Sequence, residues 1–339
     1  MGHAGRQVPP RPLRPGRRGH LPGRRRRHHV RAASELTAVL FLPEVGELTF
    51  RHGDDTLVGD LVRPPWPGPY PAVVFVEGSG PGGRDQRDWQ TRLAAAGFAS
   101  LAYDKPGSGA STGDWTRQTL TDRAGETLAA VGALRTRAQV LPHAVALVGG
   151  SQGGWVAPLA ASLSPAAVAA VVIVSGPAVG LVPQEEYRLR HQLPAAGFSD
   201  DDVRQATVLL REQVHRVRAG DDPADVHTAQ ASWHDAPWYP LLAGASPATI
   251  GFLAGIADHD PEPALAALRC PVLAIFGADD VQVPVEASVR ALERILGGTG
   301  HADHTVVVFP DADHGIRVRG TRAPGFDELV VTWLHRRLR

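Results

Sequence analysis

Residues 144–154 have the sequence AVALVGGSQGG, in which a short apolar run leads directly into glycines that flank a single serine. A continuous apolar run of this length is typical of a strand that is covered on both faces of a parallel sheet. Glycines lack a Cβ atom, so Gly149, Gly153 and Gly154 allow the tight backbone turn by which a strand leads into a helix. The stretch therefore predicts a strand–turn–helix unit with the hydroxyl of Ser151 projecting above the sheet.

The same alternation of strands and helices continues on both sides of this unit. Because strands alternate with helices, we expect an α/β fold with a mostly parallel central sheet and helices on both of its faces. Residues 46–64 alternate polar and apolar side chains around Gly53 and Asp54, which predicts a hairpin before the parallel strands. Apolar runs predict further strands at residues 72–77, 98–103, 168–174, 271–276 and 305–309, and helices are predicted at 87–97, 119–138 and 326–338.

Residues 178–262 differ in character from the sequence on either side. They contain charge-rich helical stretches and the aromatic residues Trp233, Trp238 and Tyr239, but no run that resembles a buried strand. We interpret them as a helical cap inserted between two parts of the core, residues 34–177 and 263–339. The three aromatic residues either line a pocket or pack the cap onto the core, and the second alternative is the one we favour.

The first 33 residues form a leader rich in Arg, Pro and Gly, with ten arginines and no acidic residue. Because the leader has almost nothing apolar to bury, we expect it to be disordered and to take no part in the fold. It also lacks aromatic side chains for stacking on bases, so we expect no nucleic-acid partner. The formal net charge of the chain is 0, and the remaining residues are therefore acidic by the amount that the leader is basic.

The composition limits the classes of protein to which the chain can belong. Its 339 residues are 43% hydrophobic, which is enough for one large α/β domain with an insertion. No apolar run approaches the roughly 20 residues that span a bilayer, and residues 36–42 are too short for a secretory signal. We therefore expect a cytoplasmic protein without a membrane partner. The single cysteine, Cys270, excludes a disulfide or a cysteine-based zinc site within the chain.

Ser151 is the candidate nucleophile. A serine at the turn from a strand to a helix lies at the positive end of the helix dipole, where a developing negative charge is stabilised. The backbone N–H of Gln152, the next residue, is a natural donor to such an oxyanion. A serine hydroxyl is a weak nucleophile, however, and needs a histidine base that a carboxylate holds in the correct tautomer.

Candidates for the base and the carboxylate lie downstream. His314 occupies a loop after the last predicted strand, at the edge of the sheet where Ser151 lies, whereas His301 and His304 precede that strand and lie at the opposite edge. We therefore expect His314 to be the base. Asp279 and Asp280 both follow the preceding strand, and on physical grounds either carboxylate can reach a neighbouring loop.

Several segments together resemble the α/β-hydrolase superfamily, and specifically its bacterial serine esterase-like members, over residues 47–338. In this family the acid lies three residues after the glycine and four before the proline of segment 277–284, which implies Asp280. The resemblance also implies the backbone N–H of Ser79 as a second oxyanion donor. The chain departs from the family where Glu77 replaces a common His and Pro106 a common Arg. The matching segments are Gly78–Pro81, Tyr103–Ser111, the turn around Ser151, Cys270–Leu273, Gly277–Pro284 and Asp313–Gly315.

Ser151, Asp280 and His314 together predict a serine hydrolase that cleaves a carboxylic ester or a related acyl bond through an acyl-enzyme. The expected partner is a small-molecule acyl substrate, and the reaction needs neither a metal nor an organic cofactor. A thioesterase or a serine peptidase would use the same three residues.

Two functions of other classes remain open. Residues 78–83 also fit the pattern G-x-G-x-x-G after a strand, and Asp104 follows at the spacing of a dinucleotide fingerprint, which would indicate an NAD-dependent oxidoreductase. That hypothesis leaves Ser151, Asp280 and His314 without a role. The other alternative is a protein that keeps the α/β-hydrolase fold and binds a ligand without catalysis, because a fold alone does not establish a function.

Overall fold

An eight-stranded sheet forms the centre of the computed structural model, which describes residues 42–338. The predicted leader, residues 1–33, lies outside the described residues. The strands are β1 (Glu44–His52), β2 (Asp55–Arg63), β3 (Tyr70–Val76), β4 (Ala99–Tyr103), β5 (Val140–Gly150), β6 (Ala170–Val174), β7 (Val272–Gly277) and β8 (His304–Phe309).

The sheet has the strand order β1-β2-β4-β3-β5-β6-β7-β8. Strands β1 and β2 form the predicted hairpin around Gly53, and β2 pairs antiparallel with β4. From β4 to β8 all neighbouring strands are parallel. Every residue of β7 and nearly every residue of β3 is buried, as expected for strands covered on both faces. The predicted α/β class with a mostly parallel sheet is confirmed.

Helices cover both faces of the sheet. Two separate apolar clusters pack against it, one contributed by α2, α3 and α9 and the other by α1 and α10. Helix α2 begins with a capping box between Thr119 and Asp122, which satisfies two N–H groups of its first turn. The helices of the core are α1 (Arg87–Ala95), α2 (Leu120–Arg135), α3 (Gly153–Leu163), α9 (Val285–Gly298) and α10 (Phe326–Arg337).

Between β6 and β7 the chain forms five α-helices, and the structure shows no strand within residues 178–262. Leu189, Leu193, Leu209 and Leu210 are buried between α4 and α5, so this segment has apolar packing of its own. The boundaries proposed for a cap remain a prediction. The five helices are α4 (Leu181–Ala195), α5 (Asp200–Arg218), α6 (Pro223–Ala229), α7 (Pro247–Ile256) and α8 (Glu262–Ala266).

The carboxyl ends of the parallel strands bring four loops to one edge of the sheet. These loops follow β3, β5, β7 and β8, and they contain Ser79, Ser151, Asp280 and His314, respectively. In an open α/β sheet this edge is where ligands bind. After β8, a short hairpin of β9 (Arg317–Val318) and β10 (Thr321–Arg322) leads into α10.

Backbone segments approach one another very closely where β5 turns into α3. A Cβ atom at Gly149 would lie 2.1 Å from the carbonyl oxygen of Gly153, and one at Gly153 would lie 2.1 Å from that of Val76 in β3. At Gly154 it would lie 2.5 Å from the Cα of Gly176. These contacts are backbone to backbone, so no side-chain movement relieves them. Glycine is therefore required here by packing.

We expect Gly153→Ala to destabilise the fold by about 3 kcal/mol or more, because β3 or α3 must shift to accommodate the added methyl group. Gly132→Ala is the matched control. Gly132 lies within α2, with no atom within 4 Å of an added Cβ, so alanine should be neutral or slightly stabilising there. Denaturant unfolding of both variants measures the difference, and equal stabilities would contradict the packing argument.

Candidate active site

Ser151 occupies a turn that few residues other than glycine adopt. Strand β5 ends at Gly150 and α3 begins at Gly153, and between them Ser151 has a φ of +52°, in the left-handed region. Its backbone N–H donates to the carbonyl oxygen of Val174 at 2.9 Å, and its carbonyl accepts from Gly154 N at 2.8 Å. The turn is therefore held from both sides, and strain of this kind is typical of functional positions.

His314 and Asp280 are in direct contact. His314 Nδ1 lies 2.7 Å from Asp280 Oδ2, and the Asp280 side chain has an exposed fraction of 0%. The other carboxylate oxygen, Oδ1, accepts the backbone N–H groups of Gln282 at 2.7 Å and Val283 at 3.0 Å. Both oxygens are thus occupied, and the bond to the ring holds the imidazole in one orientation.

The neighbouring candidates lie elsewhere. Asp279 is exposed, and its backbone N–H donates to Ala312 O at 2.9 Å. His301 Nε2 lies 2.9 Å from Cys270 O, and His304 is the first residue of β8, so both histidines are at the opposite edge of the sheet, as expected. The structure thus brings Asp280, and neither Asp279 nor the other two histidines, to the loop of His314.

Ser151 and His314 line the same cavity, which has a volume of about 510 Å³. The two side chains are not hydrogen-bonded to each other in the part of the chain that the structure describes. Such bonds between a nucleophile and its base are often long without substrate and shorten when it binds. We call it the polar cavity because charged side chains line it, from residues 77–88 and from the hairpin of β9 and β10: Glu77, Asp85, Asp88, Arg317 and Arg322.

A second cavity, of about 440 Å³, opens on the other side of Ser151 and is mainly apolar. Its walls come from the core and from α4 and α7, so the helical segment between β6 and β7 closes it. Its apolar lining residues include Trp115, Trp155, Leu181, Phe252, Ile256 and Val283.

The aromatic residues Trp233, Trp238 and Tyr239 do not line either of these two cavities. Trp238 and Tyr239 are buried within the apolar cluster, and the rings of Trp233 and Trp238 are 5.8 Å apart. They act in packing, which is the alternative that the sequence favoured. Trp115 and Trp155 provide the aromatic walls of the apolar cavity instead, and Trp155 lies one turn of α3 beyond Ser151.

The two candidate oxyanion donors lie beside Ser151. Ser79 and Gln152 both line the apolar cavity together with Ser151. Gly78 lies so close to the serine that an added Cβ would be 3.2 Å from Ser151 Cβ. Among the described residues, neither the Ser79 nor the Gln152 backbone N–H has a hydrogen-bond acceptor. Both groups are therefore free to donate to a bound molecule.

Two buried cations lie against the loop after β3, and no sequence motif had identified either of them. Lys105, which follows β4, and Arg123, on α2, each have an exposed fraction of only 1%. Arg123 Nε lies 3.5 Å from Glu126 Oε1, and Glu126 also accepts hydrogen bonds from Tyr103 and Gln118. One signal was available: Lys105 is the only lysine of the chain.

Lys105 and Glu77 have shifted pKa values. Burial and, secondarily, the nearby guanidinium of Arg123 lower the pKa of Lys105 from 10.5 to about 7, against the opposing effect of Glu126 and Glu77. Burial also raises the pKa of Glu77, although the hydrogen bond from Gln86 Nε2, at 2.8 Å, opposes this. Glu77 replaces the family's common histidine, and its side chain reaches the polar cavity.

Asp104 does not fit the role that a dinucleotide site would require. Its carboxylate is buried, pairs with Arg84 at 3.0 Å and accepts the backbone N–H of Ala110 at 3.0 Å. In a dinucleotide site this carboxylate would face the ribose. Moreover, the glycine-rich loop does not lead directly into a helix, because α1 begins only at Arg87. The geometry thus gives no support to the oxidoreductase hypothesis.

The arrangement combines a hydroxyl on a strained turn, an imidazole held by a buried carboxylate, and two free N–H groups. Such a set is suited to attack on a carbonyl carbon and to stabilisation of the resulting oxyanion. Within residues 42–338 we find no helix long and apolar enough to cross a membrane, and no cluster of three metal-ligating side chains.

Residues 71–317 match the family described as alpha/beta hydrolase fold. The chain is 25% identical over 270 residues to esterase EstD of Thermotoga maritima, which covers 76% of this chain and 57% of EstD. It therefore spans little more than half the length of that relative.

Two further proteins show the breadth of the similarity. RutD of Klebsiella pneumoniae, which is provisionally named a carbamate hydrolase, is 28% identical over 248 residues, covering 71% of this chain and 84% of RutD. The structure of an esterase from Pyrococcus furiosus matches with a TM-score of 0.59 at 17% identity, covering 88% of this chain and 92% of the esterase.

Because Lys105 is the only lysine of the chain, its pKa can be measured directly. In protein labelled with carbon-13 lysine, the Lys105 side-chain signal should titrate with a midpoint near 7 when the protein is folded. In the denatured protein the midpoint should return to about 10.5. A folded-state midpoint above about 9.5 would contradict the burial argument.

The lowered pKa of Lys105 also makes the free energy of unfolding depend on pH. Between pH 7 and about 10.5 the unfolded chain holds more protons on Lys105 than the folded chain does. The contribution of Lys105 to the free energy of unfolding therefore rises with pH across this window, and below pH 7 the full cost of burying the charge is present.

Proposed function

Because the chain belongs to the α/β-hydrolase fold family, we propose that it is a serine hydrolase that cleaves a carboxylic ester or a related acyl bond. One observation carries the proposal: the buried carboxylate of Asp280 lies 2.7 Å from His314 Nδ1, in a loop that shares a cavity with Ser151. The similarity to EstD and RutD, although distant, supports a hydrolase.

In the proposed first step Ser151 Oγ attacks the acyl carbon, and His314 Nε2 takes the hydroxyl proton. His314 Nδ1 donates to Asp280 Oδ2, while Asp280 Oδ1 accepts the backbone N–H groups of Gln282 and Val283. The carboxylate thereby stabilises the imidazolium that forms and holds the tautomer in which Nε2 can accept a proton.

The negative charge that develops on the substrate oxygen is stabilised by the backbone N–H groups of Ser79 and Gln152. Both are without acceptors among the described residues and line the cavity beside Ser151. Loss of a single donor of this kind typically costs about a hundredfold to a thousandfold in turnover. The tetrahedral intermediate then collapses, and His314 passes its proton to the leaving group.

In the second step a water molecule activated by His314 attacks the acyl-enzyme, and Ser151 is released with the acid product. The substrate is a small acyl compound with one apolar part. The cavity of about 440 Å³ between Trp115, Trp155 and Phe252 accommodates that part, and the polar cavity beside His314 receives water and the more polar part.

A carbamate is the second candidate substrate class. The similarity to RutD favours it, since the alignment covers 84% of RutD but only 57% of EstD. Carbamates, thioesters and amides react through the same acyl-transfer steps. Turnover of matched p-nitrophenyl ester and carbamate substrates would separate the two candidates.

We expect Ser151→Ala to fold normally and to lose ester hydrolysis by a factor of about a thousand or more, because covalent catalysis is removed. Ser162→Ala is the control, since its hydroxyl bonds only to Leu159 O within α3. A fluorophosphonate probe should label wild type at Ser151, as found by peptide mapping. An unlabelled Ser151, or a variant with more than about a tenth of wild-type turnover, would refute the assignment.

Separate substitutions of the two adjacent aspartates test which carboxylate orients the His314 ring. Asp280→Asn should lower turnover by roughly a thousandfold or more, because its amide N–H₂ would face His314 Nδ1 and favour the wrong tautomer. Asp279→Asn should lower it by less than about tenfold, since Asp279 is exposed. Both variants are measured on one activated ester, and the reverse order of effects would move the assignment to Asp279.

A further inference from the structure

The loop after β3 turns its carbonyl groups toward the buried cations. Lys105 Nζ donates to Gly78 O at 2.8 Å and also to Gly80 O. The loop also packs over the lysine stem, because a Cβ atom at Gly82 would lie 3.0 Å from Lys105 Cε. Lys105 has no carboxylate hydrogen-bonded to it among the described residues, so these carbonyl oxygens are its principal polar partners.

Arg123 binds the same loop from α2. Its Nη2 donates to Glu77 O at 2.9 Å, and its Nη1 donates to Gly78 O at 3.2 Å and to Gln152 Oε1 at 2.9 Å. One guanidinium therefore connects the loop after β3 to the residue that follows Ser151. The carbonyl of Gly78 is bonded to both cations.

The direction of the Gly78 carbonyl determines where the next N–H group points. In a planar trans peptide the C=O and N–H groups point in opposite directions. Since Gly78 O points at Lys105 and Arg123, the N–H of Ser79 points away from them. Gly78 itself packs against Ser151, so this N–H is presented on the side of the loop where the substrate oxygen would lie.

We propose that Lys105 and Arg123 are positioning residues for acyl transfer, which hold the Gly78–Ser79 peptide with its N–H directed at the oxyanion. The proposal rests on the proposed function, because it requires a reaction that generates negative charge at Ser79. A cation on the carbonyl also polarises the peptide and strengthens its N–H as a donor, since hydrogen bonds in a chain reinforce one another.

Stabilisation of a loop does not by itself explain why two cations are buried against it. Burial of a charge costs stability unless it is compensated, and the two cations also repel each other. Glu126 compensates Arg123 by direct contact. The charged groups near Lys105 are Arg123 and the carboxylates of Glu126 and Glu77. Lys105 Nζ also lies 5.3 Å from the centroid of the Trp115 ring. A negative charge on the substrate would supply the compensation that the resting site lacks.

Kinetics of Lys105 variants provide the first test. Lys105→Met should lower kcat on an activated ester by about 10- to 100-fold and change KM by less than about threefold, because the loss falls on the transition state. The melting temperature should not fall, since the variant removes a buried charge. Lys105→Gln, which retains a donor without charge, should lie between Lys105→Met and wild type.

Arg84→Gln is the matched control. Arg84 lies on the same loop and pairs with Asp60 and Asp104, but it donates to none of the carbonyls of residues 77–80. Its kcat should stay within about twofold of wild type. A folded Lys105→Met variant with kcat within twofold of wild type, or one changed only in KM, would overturn the proposal.

A second test uses the wild-type protein and does not depend on how any variant folds. Ser151 Oγ should add to the carbonyl carbon of an alkyl trifluoromethyl ketone and pass its proton to His314, so that the carbonyl oxygen becomes an oxyanion beside Ser79. The midpoint of the Lys105 titration, followed through its carbon-13 signal, should then rise, because a nearby anion favours the ammonium form. An unchanged midpoint would contradict the proposal, because it would show that the oxyanion does not act on Lys105.

The outcomes test the positioning role and the proposed function separately. An adduct confirmed by mass spectrometry, together with an unchanged Lys105 midpoint, would overturn the positioning role and leave the proposed function intact. Failure of both the ketone and a fluorophosphonate to react at Ser151 would contradict the proposed function, and the positioning role with it.

Discussion

The close approach of bare backbone at the turn between β5 and α3 is the constraint on which the rest of the site depends. Because no side chain separates Gly153 from the carbonyl of Val76, helix α3 rests directly on the carboxyl end of β3. The position of Ser151 is thus coupled to the loop that begins one residue after β3, and that loop carries Ser79. Ser151 and the loop that contains Ser79 are therefore packed together, which is the preorganisation that the proposed function requires.

A second close approach of backbone segments joins the loops that contain Asp280 and His314. A Cβ atom at Gly277, at the end of β7, would lie 2.3 Å from the carbonyl oxygens of Ala312 and Asp313, so the loops of Asp280 and His314 are packed together by their backbones. Helix α4 is fastened to the same place, since Tyr187 Oη donates to Asp280 O at 2.8 Å and Gln184 Nε2 to Gln282 O at 3.0 Å. Helix α4, which helps to close the apolar cavity, is therefore held to the loop that contains Asp280.

The charged groups of the site hold two different loops. The carboxylate of Asp280 is bonded to the imidazole of His314, whereas Lys105 and Arg123 are bonded to the carbonyl of Gly78. All three groups are buried, so water screens them little and their fields act strongly at short range. The same burial lowers the pKa of Lys105 to about 7, because it disfavours the charged form of the amine.

The sequence by itself determined three features. The apolar runs predicted the buried strands, the glycines predicted the turn at Ser151, and the position of His314 after the last strand made it the candidate base. These are local patterns, and a local pattern encodes the conformation of its own segment. Local patterns left Asp279 and Asp280 open, and the family resemblance implied Asp280, which meets His314 in the structure. Only the tertiary structure decided that Trp115 and Trp155 rather than Trp233 and Trp238 line the apolar cavity, and that Lys105 is bonded to the loop of Ser79. Each of these depends on which side chains meet across segments far apart in the chain, and packing between elements sets that, not the periodicity within any one of them.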